Sequence, residues 1–315
     1  MDAEIRAARL GDALRSAGAE GGAVACRAPG SDPDIRAWGP VSANSVFEAG
    51  SVTKVVTGLL LSLAIDAGEA SGSDRLDRFL PGTGRCGAAT LAELATHTSG
   101  LPRLAGATLL RSLLHPGDPY RGTTLRRLIG DTRNVRPGTP GQFAYSNLGV
   151  ALLGNALAAA AGMPYWDLAQ ARVLMPLGMA RSGDIVPSAL PDPGRAWQLG
   201  AFAPAGVLRA PVSDLLHLAW AAARPQESPF PAAAAAALVP RAARQNGSVG
   251  LCWMIDPRPH NQRVAWHNGG TGAGWAFVGA SNSAAVAACV PQRRQQPWDT
   301  AALGALTEPG PEHHR

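Results

Sequence analysis

The 315-residue chain contains a single lysine, Lys54, although it has 28 basic residues. Arginine supplies all the others. A guanidinium stays protonated in a protein, whereas a lysine amine in a dry pocket or beside another cation can lose its proton and act as a base. The one retained lysine therefore indicates a position where a proton is transferred, unless it is an ordinary surface lysine.

Other scarce features exclude whole classes of protein. The four cysteines show no CxxC spacing, which predicts small buried side chains, and no grouping of His, Cys and carboxylates has the spacing of a zinc site. The arginines are scattered, so the formal charge of +5 does not indicate nucleic acid. The longest apolar stretch, residues 55–65, is shorter than the roughly 20 residues that cross a bilayer. Residues 1–18 follow a helical period without the unbroken apolar core of a secretory signal. We expect a soluble, cytoplasmic protein that binds neither nucleic acid nor membrane and uses no metal or cofactor.

The hydrophobic pattern predicts a sheet that is assembled from both ends of the chain. Strand-like segments occupy residues 21–28, 34–41, 249–256, 263–268, 273–280 and 284–290. Residues 71–198 instead contain short helical pieces that are broken by Pro and Gly, without a strand pattern. We therefore predict an α/β plus α fold: an antiparallel sheet domain flanked by helices, formed by residues 1–75 and 200–315, and a helical insert formed by residues 76–199.

Candidate chemistry begins with Ser51, three residues before Lys54. Positions i and i+3 share a face of a helix, so the hydroxyl and the amine would lie within reach of each other. An amine that takes the serine proton turns that serine into a nucleophile. The pair by itself is only suggestive, because a serine at this spacing before a given lysine occurs by chance about once in fifteen times.

A second cluster contains Tyr145, Ser146 and Asn147, just ahead of a predicted helix at residues 148–162. A phenol beside an amine titrates as a coupled pair, and either member could then carry protons at neutral pH. Taken alone, Tyr-x-Asn is more typical of a turn and helix cap.

In a third cluster, a predicted strand ends in His267 and continues into Gly269 and Gly270. Such glycines let a backbone approach a ligand closely and leave N–H donors unencumbered. The stretch matches neither GxGxxG nor a P-loop. Taken alone, it also fits a plain glycine hairpin.

Together, SVTK (51–54), YSN (145–147) and HNGG (267–270) resemble, in this order, the motifs of the serine β-lactamase and penicillin-binding superfamily. This superfamily comprises class C β-lactamases, D-Ala-D-Ala carboxypeptidases, and esterase and transacylase relatives with a β-lactamase/transpeptidase-like fold. LATHTSGLPR (94–103) contributes to the resemblance, and we expect a structural role for its His97 and Thr98.

The resemblance implies that Ser51 is the nucleophile, Lys54 its base or proton relay, and Tyr145 the proton donor to the leaving group. It also implies that Asn147 holds a substrate carbonyl and that the N–H groups of Ser51 and Gly270 form the oxyanion hole.

His267-Asn268-Gly269 stands where the β-lactamases and carboxypeptidases of this superfamily carry Lys-Thr-Gly. We therefore expect His267, Gly269 and Gly270 to form the substrate-binding strand. An imidazole grips a substrate carboxylate less firmly than an ammonium does. We expect weak turnover of penicillin-type substrates or none.

These observations predict a serine acyl-transfer enzyme that works through an acyl-enzyme at Ser51. The leading hypothesis is a cytoplasmic esterase or amidase that takes a small-molecule ester or amide as acyl donor. One alternative is a transacylase that passes the acyl group to an amine or alcohol in natural-product or antibiotic biosynthesis. The other is a catalytically idle relative that only binds its ligand.

Overall fold

The computed structural model describes residues 1–115, 117–183, 187–190, 196–258, 262–293 and 296–307. Its main sheet has eight strands in the order β2-β1-β10-β9-β8-β7-β6-β5, and all neighbouring strands are antiparallel. These strands are β1 (Gly22–Arg27), β2 (Asp34–Trp38), β5 (Ala242–Arg244), β6 (Gly247–Val249), β7 (Met254–Arg258), β8 (Gln262–Gly270), β9 (Trp275–Ala280) and β10 (Ala285–Val290). A second, two-stranded sheet pairs β3 (Phe47–Glu48) with β4 (Arg209–Ala210).

The two ends of the chain meet within the main sheet, where β1 pairs with β10 and Ala25 lies opposite Ala287. The helices are α1 (Ala3–Ser16), α2 (Thr53–Asp66), α3 (Leu91–Ala95), α4 (Gly106–Leu114), α5 (Leu125–Thr132), α6 (Asn147–Ala161), α7 (Tyr165–Ala169), α8 (Ala203–Gly206), α9 (Val212–Ala223), α10 (Pro231–Ala237) and α11 (Gln296–Thr307). This architecture confirms the predicted antiparallel sheet that is flanked by helices and built from both chain ends. The division into residues 1–75 plus 200–315 and 76–199 stays a prediction.

Helices cover both faces of the sheet, which explains why its central strands are apolar throughout. Side chains of a strand alternate between the two faces. In β1, Val24 and Cys26 pack in a cluster with α1 and α11, whereas Ala23 and Ala25 join the larger cluster that contains α2, α6 and α9. Because both sets are buried, the strands lack the polar alternation of a half-exposed sheet.

The structure corrects the predicted strand at residues 249–256. Val249 ends β6 and Met254 begins β7, and between them Cys252 has a φ of 61°, a left-handed conformation that is incompatible with a continuous strand. The hairpin of β5 and β6 and the C-terminal helix α11 were not predicted. All four cysteines are buried and free, as expected of small apolar side chains.

Within the described ranges, no single helix combines the length and the apolar composition that a membrane span requires. Helix α6 and the segment Tyr165–Leu174 meet these criteria only as a pair, across a bend of 82°.

Candidate active site

Ser51 lies in a 3-10 turn, Gly50–Val52, that leads directly into α2. Gly50 has a φ of 50°, which glycine adopts without strain, and a Cβ there would lie only 3.0 Å from the backbone nitrogen of Gly270. Thr53 fixes the turn, because its Oγ1 donates to the Gly50 carbonyl at 2.6 Å and accepts from the Leu208 N–H at 2.9 Å. The half-buried serine is thus held at a defined point beside β8.

Lys54 follows one turn later and is completely buried. Its Nζ lies 2.8 Å from Ser51 Oγ and donates to the carbonyl of Ala205 at 2.7 Å. The carbonyl can only accept, so one N–H of the amine is permanently occupied. A deprotonated amine then has its lone pair available for the Ser51 hydroxyl proton.

The surroundings of Lys54 favour that deprotonated form. Its pKa is lowered to about 7, with burial as the largest cause; Cys252 acts in the opposite direction, and the Arg103 charge makes a smaller contribution to the lowering. A buried ammonium loses its hydration, and no carboxylate among the described residues compensates Lys54 for that loss. Burial without a negative partner is the condition for such a shift. The amine is therefore poised to accept a proton near neutral pH.

Tyr145 has the opposite titration behaviour. Burial raises the pKa of its phenol above the usual range, although a hydrogen bond with Ser51 lowers it in part. The Lys54 Nζ lies 5.2 Å from the centre of the Tyr145 ring. The sequence predicts that Lys54 and Tyr145 carry protons. Their pKa shifts suit the Lys54 amine to the role of base and the protonated Tyr145 phenol to the role of proton donor.

His97 packs against Tyr145, with ring centres 4.5 Å apart, and its Nδ1 accepts the N–H of Ser146 at 3.2 Å. Burial and then the charges of Lys54, His267 and Arg103 hold the pKa of His97 well below its ordinary value. The imidazole is therefore neutral, and a packing role agrees with what the sequence suggests. Its φ of 58° is unusual for a residue other than glycine.

Strand β8 passes so close to Ser51 that it leaves no room for a side chain at Gly269. A Cβ on Gly269 would lie 1.9 Å from the Ala49 carbonyl oxygen and 2.9 Å from the Ser51 nitrogen, so only glycine fits. The adjacent Gly270 presents its backbone beside the Gly50–Ser51 turn. This proximity is what an oxyanion hole formed by the Ser51 and Gly270 N–H groups requires.

The other two candidate binding residues differ in their access to the site. His267 lines the cleft, its Nδ1–H donates to the Asn268 carbonyl at 2.6 Å, and its ring centre lies 6.1 Å from that of Tyr145. Asn147 begins α6, is 7% exposed, and donates from Nδ2 to the Tyr120 hydroxyl at 3.1 Å. It does not line the described cleft, so direct contact with a substrate carbonyl stays a prediction.

The cleft that these residues form has a volume of about 470 Å³. It is lined by Ser51, Arg103, Phe143, Tyr145, Arg244, Met254, Trp266, His267, Asn268 and Gly270. Sequence reasoning missed Arg103, Arg244 and Trp266. Arg103 ends the quoted stretch LATHTSGLPR and could have been singled out, whereas no local pattern marks the other two.

The model of the family described as Beta-lactamase matches residues 8–302, which is most of the chain. The chain belongs to the β-lactamase family. The resemblance that SVTK, YSN and HNGG suggest is therefore confirmed.

Curated relatives of this β-lactamase family member match over about half of its length or less. The D-alanyl-D-alanine-carboxypeptidase/endopeptidase AmpH of Escherichia coli is 35% identical over 143 residues, 43% of this chain and 36% of that protein. Penicillin-binding protein 4* of Bacillus subtilis is 32% identical over 146 residues, 44% of this chain and 31% of that protein. The matches thus span about a third of these relatives' length.

Solved structures match over almost the whole β-lactamase family chain. A class C β-lactamase from Rhodobacter sphaeroides has a TM-score of 0.78 at 20% identity and covers 96% of this chain and 97% of its own. A β-lactamase/D-alanine carboxypeptidase from Pseudomonas syringae has a TM-score of 0.79 at 17% identity and covers 97% and 100%. At these identities the similarity concerns the fold.

In the described part of this family member, no group of three or more His, Cys, Asp or Glu side chains could hold a metal ion.

Proposed function

We propose that the chain is a serine acyl-transfer hydrolase that forms an acyl-enzyme at Ser51. The observation that carries this proposal is the fully buried Lys54 amine, 2.8 Å from Ser51 Oγ and with a pKa lowered to about 7. A surface lysine would stay protonated at neutral pH and could not take the serine proton. The arrangement thus supplies both a nucleophile and its base.

In the proposed acylation step, the neutral Lys54 amine accepts the Ser51 proton while Oγ bonds to the carbonyl carbon of the donor. The N–H groups of Ser51 and Gly270 stabilise the negative charge that develops on the carbonyl oxygen. Tyr145 protonates the leaving alcohol or amine as its bond breaks, and the Lys54 ammonium returns a proton to the phenolate. Both groups thereby regain their starting protonation.

In the second step, water gives a proton to Lys54 as it attacks the acyl carbon, and the proton then returns to Ser51 Oγ as the acyl bond breaks. We propose an ester or amide of a small molecule as donor. Two relatives with carboxypeptidase in their names support an amide, whereas His267 in place of lysine favours esters over penicillins. Water as acceptor gives an esterase or amidase, and an amine or alcohol acceptor would give the transacylase.

Intact-protein mass spectrometry with a fluorophosphonate and a panel of activated esters and amides tests this proposal. We expect a covalent adduct on the wild type, none on Ser51→Ala, and labelling that is slowed by about 10²- to 10⁴-fold in Lys54→Met, the usual contribution of a general base. Adding amines and alcohols shows where the acyl group goes. Release of the free acid at every acceptor concentration would exclude the transacylase.

The absence of any adduct on folded wild-type protein would overturn the acyl-enzyme and favour the idle relative. Hydrolysis of the β-lactam nitrocefin is measured as an additional assay. Turnover that is lost in Ser51→Ala would identify a β-lactamase, and we expect weak turnover or none.

A further inference from the structure

The charges around the cleft are unevenly distributed. Its described lining includes two arginines and no carboxylate. Arg244 is already neutralised, because it forms an ion pair with Asp256 and its Nε donates to the Ser248 carbonyl at 3.2 Å. Arg103, in contrast, makes no ion pair with any carboxylate in the described part of the chain. Its guanidinium is the positive charge that the cleft leaves uncompensated.

The position of Arg103 is nevertheless well defined. Its carbonyl accepts the N–H of Leu148 at 3.1 Å, and the preceding Pro102 carbonyl accepts the Ser146 hydroxyl at 2.7 Å. These two bonds attach the segment to the start of α6, next to Tyr145. The guanidinium carbon lies 5.3 Å from the centre of the Tyr145 ring, while the residue itself remains exposed to solvent.

Arg103 therefore faces the reacting groups without being buried among them. Its charge is sensed by both Lys54 and His97, whose pKa values it lowers. A guanidinium cannot be deprotonated, offers a fork of donors that matches a carboxylate, and is more weakly hydrated than an ammonium. An exposed, permanently charged fork at the edge of a reaction cleft is suited to an anionic ligand.

We propose that Arg103 determines specificity by binding a carboxylate on the acyl donor, so that this enzyme selects anionic esters or amides. The proposal rests on the proposed acyl transfer at Ser51. It assigns the carboxylate contact to the loop between α3 and α4, which contains Arg103, and not to the strand that contains His267. A bound carboxylate would also offset the Arg103 charge that acts on Lys54, so an anionic donor would make the base stronger than a neutral one does.

Paired esters that differ only in charge test this assignment. In the first pair the charge is on the acyl side: 4-nitrophenyl hemisuccinate is the anionic ester and its methyl ester is the neutral one. In the second pair the charge is on the leaving group: 3-acetoxybenzoate is the anionic ester and its methyl ester is the neutral one. The ratio of kcat/KM within each pair is measured for the wild type, Arg103→Gln, Arg103→Lys and a control, Arg126→Gln, which removes an exposed charge on α5.

In at least one pair we expect the wild type to prefer the anionic ester by about tenfold or more, the value of a charge-assisted hydrogen bond. Arg103→Gln should abolish that preference, so that kcat/KM for the anionic ester falls about tenfold further than kcat/KM for the neutral ester. Arg103→Lys should retain part of it, and Arg126→Gln all of it. The pair that responds identifies the side of the scissile bond that carries the carboxylate.

Equal losses for the charged and neutral esters in Arg103→Gln would overturn the proposal and leave Arg103 as a support for Tyr145. Binding of 4-nitrophenyl hemisuccinate and of 3-acetoxybenzoate to Ser51→Ala and to Ser51→Ala with Arg103→Gln, measured by calorimetry, separates this inference from the acyl transfer itself. Weaker binding of either anion only when Arg103 is removed supports the carboxylate contact even without acylation. Identical binding of both anions to the two variants refutes it.

Discussion

The buried Lys54 amine should destabilise the fold at neutral pH, and this effect can be measured apart from catalysis. Its pKa is lowered from 10.5 to about 7, with burial as the main cause. One pKa unit corresponds to about 1.4 kcal/mol, so the charged form costs the folded state on the order of 5 kcal/mol. That is a large fraction of the stability of a typical domain, about 5–15 kcal/mol.

The sign of the pH dependence follows from the two pKa values. Below about pH 7 the lysine is protonated in both states, and the penalty is fully present. Between about pH 7 and the unfolded value of about 10.4, the unfolded chain binds a proton that the folded protein has lost. The free energy of unfolding should therefore rise with pH by about 1.4 kcal/mol per unit across this window.

Urea unfolding of the wild type and Lys54→Met from about pH 7 to about pH 9 isolates this contribution. We expect the wild type to gain roughly 2 kcal/mol relative to Lys54→Met over this range. Ser51→Ala is the matched control, since it leaves the buried amine in place and should keep the slope. Parallel curves for the wild type and Lys54→Met would refute the lowered pKa, and with it the argument for a neutral-pH base.

Substitutions at Gly269, Tyr145 and His97 test other contacts of the site. Gly269→Ala should displace β8 from Ser51, because the added Cβ would lie 1.9 Å from the Ala49 carbonyl oxygen. We expect the rate of fluorophosphonate labelling to fall by about tenfold or more. The control, Gly272→Ala, should be labelled at the wild-type rate, since its nearest contact is at 3.6 Å. Equal labelling of the two variants would contradict the close approach. Tyr145→Phe should slow ester turnover by about 10²- to 10⁴-fold in stopped-flow assays, with little change in melting temperature. If the variant turns over esters at the wild-type rate, Tyr145 is not the proton donor. His97→Asn should unfold at a higher temperature than His97→Val, because asparagine tolerates a φ of 58° and valine does not; the reverse order in differential scanning fluorimetry would show that this strain is unimportant.

The parts of the site that the sequence predicts well are those with local geometry. The spacing of Ser51 and Lys54 is a property of one helical turn, so their 2.8 Å contact could be anticipated from the sequence. The burial of Lys54 could not, because it depends on a carbonyl contributed by Ala205, 151 residues further along the chain. The spacing of the two residues is thus a local property, whereas the lowered pKa of Lys54 depends on tertiary packing.

The fold shows the same division. Apolar runs at both chain ends predict the central strands, since helices on both faces bury every side chain of β9 and β10. The break between Val249 and Met254 has no such signal, because the sequence stays apolar through Cys252 while the backbone turns left-handed. A pattern of apolar residues indicates which residues are buried, and residues 250–253 are buried although they belong to no strand.

Lys54 and Arg103 show why the chain needs one lysine among its arginines. At Lys54 the group must be able to lose its proton inside the protein, and a guanidinium would keep a permanent charge there. At Arg103 the group is exposed and, in our proposal, must stay charged in order to bind an anion, which a guanidinium guarantees at any working pH. On an open surface arginine and lysine are both tolerated, so a composition that favours arginine can replace lysine there. The same composition cannot replace Lys54 without removing the base, and this makes the scarcity of lysine itself informative about the site.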